Sequence, residues 1–306
     1  MLLQPRAFHD LFGWAGKVLG SLDKVLTASH SLAPKSILEA DNVSLPFPTN
    51  LGAALATAGI YLFSVLTLSC LMMCVKPKEV HRFKFFYNAF QMIVCSYMAA
   101  EAAFCVGESG YVFMACNNHI PVTPRIAHLY WIFYLSKFLD FFDTALIVLG
   151  KKWAQLSFLH LLHHSGSLVM TALMLKVPNN VELISTVGVN TFVHFLTYTY
   201  FFVASHLDHG GGAVWWKKYV LNAELLQFFV LLTHLFVFPW SCHLTGVELC
   251  RATEAGRVAA ISWYSTQLLL FSHLWKKSKK KKTASKAAAT GSVANMPPAA
   301  ATKKSN

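Results

Sequence analysis

Charge is scarce in this chain. Only 13% of its 306 residues are Asp, Glu, Lys or Arg, roughly half the share of an ordinary soluble domain. A surface that poor in charge excludes a conventional water-soluble fold. Cysteine is also sparse, with seven spread along the whole length and none in Cys-x-x-Cys spacing. That excludes a small disulfide scaffold and gives no support to a zinc ribbon or a thioredoxin-type site. The 16 glycines show no period, which excludes a collagen-like repeat, and an apolar content of 55% excludes disorder. What is present is hydrophobic length, with a mean hydropathy of +0.45. The net charge of +12 does not indicate a nucleic-acid partner. Nine lysines follow Trp275 with no acid among them, so the rest of the chain carries only +3.

Crossing about 30 Å of hydrocarbon takes about 20 apolar helical residues. Seven stretches qualify as spans: 51–75, 85–108, 126–150, 153–175, 182–205, 218–240 and 256–275. The expectation is an all-α, polytopic membrane protein with seven transmembrane helices. It divides into a segment 1–50, a seven-helix domain 51–275 and a basic tail 276–306. An odd number of spans puts the termini on opposite sides. Lys76, Lys78, Arg82 and Lys84, then Lys151 and Lys152, then Lys217 and Lys218, then the tail lysines all fall on one side. The positive-inside rule makes that side cytosolic and the N-terminus lumenal.

Residues 1–50 lack the apolar core and small-residue site of a cleavable signal. Phe8, Leu11, Phe12, Ala15, Val18, Leu19, Leu22, Val25 and Leu26 instead recur at helical spacing, as in an interfacial helix. Asn42-Val43-Ser44 is a glycosylation sequon on the lumenal side. Cys116, Cys242 and Cys250 lie in the two longest lumenal loops, where oxidation is permitted. Cys116 with Cys250 is the candidate disulfide, and Cys242 is the competing partner. Lys276 to Lys282 borders the last span as a stop-transfer anchor, each lysine contributing about 1 kcal/mol near anionic lipid. Lys303 and Lys304 resemble a dilysine retrieval signal of the endoplasmic reticulum.

Ionisable side chains at membrane depth cost several kcal/mol or more unless paired or lining a cavity, so each marks a candidate site. Three successive spans carry them. Lys137, Asp140, Asp143 and Thr144 share a stripe on the third, His160, His163 and His164 share one on the fourth, and Asn190, His194 and Tyr198 share one on the fifth with Tyr200 beside them. Lone histidines such as His128, His234 and His273 read as interhelical hydrogen bonders. Three imidazoles within one helical turn read as chemistry, because a ring that titrates near neutrality can be acid, base, nucleophile or ligand. Two chemistries use His-x-x-His-His in membranes. Di-iron oxidation needs about eight histidines from several boxes, and here there is one box. In acyl transfer an imidazole nitrogen attacks a thioester, with no metal and no further cofactor. A seven-helix receptor or transporter using the buried charges as a pathway is a third reading.

Lys137-Phe-Leu-Asp140-Phe-Phe-Asp143-Thr144 resembles the Lys-x-x-Glu-x-x-Asp-Thr motif of the ELO family of fatty acid elongases. His160-Leu-Leu-His163-His164 resembles the family's histidine box. Asn190-Thr-Phe-Val-His194-Phe-Leu-Thr197-Tyr198-Thr-Tyr200-Phe201 is similar to its Asn-x-x-x-His-x-x-Met-Tyr-x-Tyr-Tyr motif, and Lys217 to Gln227 is similar to the following Thr-x-x-Gln-x-x-Gln segment. Asp140 stands where Glu is usual, Thr197 where Met is, Phe201 where Tyr is, and Leu221 and Glu224 where Thr and Gln are.

The resemblance implies seven helices enclosing an acyl-chain tunnel and the condensation of a long-chain acyl-CoA with malonyl-CoA. The products would be 3-oxoacyl-CoA, CO2 and CoA. It implies that His163 carries the acyl group, that His160 and His164 position or deprotonate it, and that His194 is a second contact. Lys137 and Asp143 would orient the box, and Asn190 and Tyr198 would donate hydrogen bonds to the developing oxyanion. Asp140, Thr144, Tyr200 and Gln227 complete the substrate site, while Lys151, Lys152, Lys217 and Lys218 would face the anionic coenzyme. The implied surroundings are the endoplasmic reticulum membrane and its lipid, with the ketoacyl-CoA reductase, dehydratase and enoyl-CoA reductase of the cycle as partners. A homodimer is compatible with it, and a nucleic-acid partner is not implied.

Overall fold

The computed structural model describes residues 51–294 except 79, 114–116, 118–119, 176–180, 208–215 and 245–253. The expected interfacial helix, the sequon at Asn42, Cys116 and Cys250, and Lys303 and Lys304 lie outside the described residues. Among the described residues all regular structure is helical: α1 Leu51–Met73, α2 His81–Ser109, α3 Pro124–Leu139, α4 Phe141–Leu149, α5 Phe158–Met174, α6 Leu183–Leu207, α7 Lys217–Leu244 and α8 Glu254–Ala294.

Among the described residues four stretches are long and apolar enough to cross a bilayer: Leu51–Met73, His81–Ser109, Leu183–Ser205 and Tyr219–Val237. Their outer faces carry large apolar side chains, as on α1, where Ile60, Phe63 and Leu66 are 66%, 70% and 62% exposed. In water that arrangement would be strongly unfavourable, and against lipid tails it is neutral. The chain is a multi-pass membrane protein.

The helix ends follow local chemistry. Thr123 caps α3 by accepting from the Ile126 N–H, with Pro124 in the first turn. Ser157 caps α5 by accepting from the His160 N–H. Gly110 stops α2 at φ 71°, a conformation that glycine adopts without a Cβ penalty.

Three expected boundaries change. The stretch 126–150 is two helices, broken at Asp140. Neither proline nor glycine causes the break. The Tyr87 hydroxyl donates to the Leu139 carbonyl, the group an uninterrupted helix would pair with the Asp143 N–H. That N–H turns to the Asp140 carbonyl at 3.2 Å instead. The stretch 153–175 becomes helical only at Phe158, after a turn in which Lys151 takes φ 50°. The three box histidines therefore sit in the first two turns of α5, about 3 to 9 Å from its start at 1.5 Å per residue, shallower than the loop placement implied. Finally, α8 does not end at Trp275 but continues through the lysine run to Ala294; Lys and Ala are good helix formers, and Gly291 comes only in the last turn.

Helices α2, α6, α7, α8, α5 and α3 contact one another in that order around a closed ring, and α1 packs outside it against α5 and α4. The broadest contact, α2 with α6, buries Cys95, Met98, Ala102 and Val187. Small residues permit close approach, as usual between membrane helices. A Cβ on Gly188 would lie 3.4 Å from the Ala102 Cβ, and one on Gly166 would come within 2.4 Å of the Trp263 ring.

At the end of the ring away from the histidine box, Glu182 binds three elements together. It accepts from the Tyr111 hydroxyl at 2.7 Å and from the Asn117 backbone N–H at 3.2 Å, and it lies 3.4 Å from His234 Nε2 on α7. His234 also contacts the Phe113 carbonyl, so this histidine ties α7 to the segments that precede α3 and α6, where the expectation is a partner on a neighbouring helix.

Candidate active site

Between α3, α5, α6, α7 and α8 lies a partly open cavity of about 50 Å³. Lys137, His163 and Asn190 stand at one part of its wall, and Met170, Met174, Leu183 and Leu231 line another. Ser167, Thr171, Thr186 and Tyr264 also line it, so a few polar groups stand among apolar side chains, as in pockets that take a molecule with a polar end and a hydrocarbon part.

The histidine box is held from three sides. His160 Nε2 lies 2.8 Å from the Thr144 hydroxyl, which is 2.7 Å from the Tyr61 hydroxyl. The second turn of α4 and the middle of α1 thus position the first ring. His163 Nδ1 lies 3.1 Å from Gln267 Oε1 on α8. An amide oxygen only accepts, so the ring hydrogen sits on Nδ1 and Nε2 carries the lone pair. Phe228 and Phe271 meet the same ring edge-on at 6.3 and 5.7 Å. The His164 ring packs at a tilt 4.2 Å from that of His160, and its Nδ1 is buried without a hydrogen-bond partner among the described residues. The His194 ring approaches from α6, 6.4 Å from His163 and near parallel to it. All four imidazoles converge, and His163 is the one that lines the cavity.

A second polar group sits behind them. Buried Lys137 donates to Asp140 at 3.2 Å and to Asn190 at 3.4 Å. Asp140 Oδ1 accepts from Gln91 at 3.1 Å, and the Tyr198 hydroxyl lies 3.2 Å from it. The single Tyr198 hydrogen has a nearer acceptor, Asp143 at 2.6 Å. Tyr198 therefore faces two carboxylates in this structure and is not among the residues that line the cavity. Asp143 pairs with Tyr198, and it is Thr144 on the same helix that reaches the box.

Asn190 donates to Gln227 at 3.3 Å, and Gln227 donates to Glu224 at 2.7 Å. Tyr200 stands apart, its ring packed on Phe201 and Trp216. Lys151 and Lys152 follow α4, partly and well exposed respectively. Lys217 and Lys218 open α7, and their side chains are outside the described atoms. Among the described residues no three His, Cys, Asp or Glu side chains are grouped to hold a metal ion.

Sequence reasoning missed Tyr61, Tyr87, Gln91 and Gln267. Each is a neutral polar residue on a helix that otherwise reads as apolar span. The available signal was Tyr87 and Gln91 at i and i+4 on one face, and Gln267 as an amide inside the last apolar run.

Comparison with known proteins places this geometry. The profile of the ELO family, described as GNS1/SUR4, matches residues 46–287, and all of the site residues described above lie within that stretch. A very long chain fatty acid elongase of Aedes aegypti is 32% identical over 199 residues, 63% of this chain and 54% of that protein. Very long chain fatty acid elongase 7 of Drosophila melanogaster is 32% identical over 200 residues, 63% of this chain and 59% of that protein. The rat protein of the same name is 29% identical over 225 residues, 71% of this chain and 77% of its own length. The chain thus spans little more than half the length of the two insect relatives. With the match running from before α1 into the lysine tail and taking in the histidine box, the chain belongs to the GNS1/SUR4, or ELO, family.

Proposed function

We propose that this protein is a fatty acid elongase that condenses a long-chain acyl-CoA with malonyl-CoA to 3-oxoacyl-CoA, CO2 and CoA. The observation that carries the reading is His163. Its Nδ1 is bonded to Gln267 and its ring lines the cavity, so the Nε2 lone pair is the nucleophile a thioester would meet.

In this mechanism Nε2 attacks the acyl thioester carbonyl and the C–S bond breaks, giving an Nε2-acyl imidazolium that keeps its Nδ1 hydrogen and a CoA thiolate that departs and takes up a proton from the solvent. Malonyl-CoA then binds and loses CO2, and the electron pair left on its α-carbon attacks the acyl carbonyl. The C–N bond breaks and His163 returns with its lone pair. Lys137 and Asn190 line the same cavity and supply N–H donors for the oxygen that becomes negative at each attack. His160, held by Thr144 and Tyr61, and His164 and His194 pack round the nucleophile and restrict water. Met170, Met174, Leu183 and Leu231 take the first part of the acyl tail, with the tunnel opening further along the ring as the chain enters. Lys151, Lys152, Lys217 and Lys218 attract the phosphates of the coenzyme.

The setting in this reading is the endoplasmic reticulum membrane, crossed seven times if α3 with α4 counts as one crossing. The N-terminal segment is lumenal, the lysine tail is cytosolic, and the reductases and dehydratase of the cycle receive the product. The positive-inside distribution supports this orientation.

The test is expression in microsomes fed a ladder of labelled acyl-CoAs with malonyl-CoA. Products two carbons longer are expected, with activity insensitive to iron chelation and lost by at least about 10³-fold in His163→Ala. An oxygen-dependent, chelator-sensitive oxidation of the same substrates would overturn the reading.

A further inference from the structure

Two of the departures from the family motifs meet in space. Thr197 and Glu224 stand where Met and Gln are usual, and the Thr197 hydroxyl lies 3.0 Å from Glu224 Oε1. The other carboxyl oxygen, Oε2, accepts from Gln227 Nε2 at 2.7 Å. Gln227 Oε1 accepts from Asn190 Nδ2 at 3.3 Å, and Asn190 Oδ1 accepts from Lys137 Nζ at 3.4 Å. The line of side chains thus runs from a carboxyl group on α7, through two amides, to an ammonium group on α3.

The order of donors along that line is not free. An ammonium group can only donate, and Oε2 of the carboxyl receives a hydrogen at the far end. Each amide between them has one donor end and one acceptor end. Only one arrangement makes every contact a donor meeting an acceptor, with both amide oxygens turned toward Lys137 and both amide nitrogens toward Glu224. The ammonium at one end and the acceptor on α7 at the other impose the same orientation on the two amides, so removing Glu224 leaves the Gln227 N–H without its partner and Asn190 held from one side only. Gln227 and Lys137 are 2% and 5% exposed, so water cannot substitute for a lost partner, and an amide left without one in that setting is costly.

Resting on the elongase reading, we propose that Glu224 is a positioning residue for the condensation. Through Gln227 it reinforces the orientation of the Asn190 amide that Lys137 selects, and so helps to hold in place the two donors that line the cavity with His163. Thr197 holds the outer oxygen of Glu224 and keeps Oε2 aimed at Gln227.

The experiment is steady-state kinetics of the full-length protein in microsomes, varying acyl-CoA and malonyl-CoA separately. Glu224→Leu removes the acceptor and should lower kcat roughly 10- to 100-fold, with either KM changing less than about threefold because ground-state binding is not what is lost. Glu224→Gln keeps an oxygen for Gln227 and should recover kcat to within about fivefold of wild type. Adding Gln227→Leu to Glu224→Leu should lower kcat little beyond Gln227→Leu alone, since both act through one line. If Glu224→Leu fails to accumulate, Glu224→Ser, too short to reach Gln227, tests the same loss. Wild-type kcat in a folded Leu or Ser variant overturns the proposal, as does a Gln variant as damaged as the Leu one. Absence of chain lengthening in the wild type would sink the elongase reading itself, a different outcome from any of these.

Discussion

The ring proposed as the nucleophile, His163, is held by a hydrogen bond from outside its own helix. Gln267 on α8 holds His163 Nδ1, leaving Nε2 as the nitrogen outside that bond. Gln267→Leu removes that acceptor, and the ring can then turn or change tautomer. The expected result is a kcat lower by about 10-fold or more with the KM for acyl-CoA little altered. Kinetics on microsomes check it, and unchanged kcat would show that Gln267 does not set the tautomer. Histidines 160, 163, 164 and 194 were legible from sequence because titratable rings stand out against apolar runs. Gln267 was not, since a single amide in a span carries no spacing signal and its partner lies 104 residues away.

At the level of helices, two contacts shape the site. The break between α3 and α4 depends on the Tyr87 hydroxyl donating to the Leu139 carbonyl, and it lets Asp140 face Lys137, Gln91 and Tyr198 while Thr144 reaches His160. Sequence periodicity treats 126–150 as one span because the hydrophobic pattern runs through the break. What interrupts it is a hydroxyl from a helix 52 residues away. The contact of α5 with α8 depends on Gly166, whose missing Cβ makes room for Trp263. In Gly166→Ala the new methyl would overlap the ring, and the rigid indole would have to move. A loss of about 1–3 kcal/mol is expected, seen as a lower Tm in detergent. Trp263→Leu in the same chain should restore most of it, and an unchanged Tm in Gly166→Ala would show that the helices can separate without penalty.

For the molecule as a whole, the two ends of the ring have different duties. One end gathers the histidines, and the other is tied by Glu182 to Tyr111, Asn117 and His234. Because that tie lies away from the box, Glu182→Ala should reduce stability and spare chemistry. Leaving several buried donors without an acceptor costs about 1–3 kcal/mol, measured as the Tm in detergent, while kcat per folded molecule stays near wild type. A kcat that falls with an unchanged Tm would show that the two ends are coupled. Residence in lipid, the helical class and the identity of the polar stripes were all determined by sequence alone, because hydrophobic length and buried charge are local properties that a chain cannot conceal. The tertiary structure decided which stripe meets which, where a span breaks, and which imidazole nitrogen is left open. Those depend on single hydrogen bonds between helices far apart in the chain, and no periodicity within one helix records its partner.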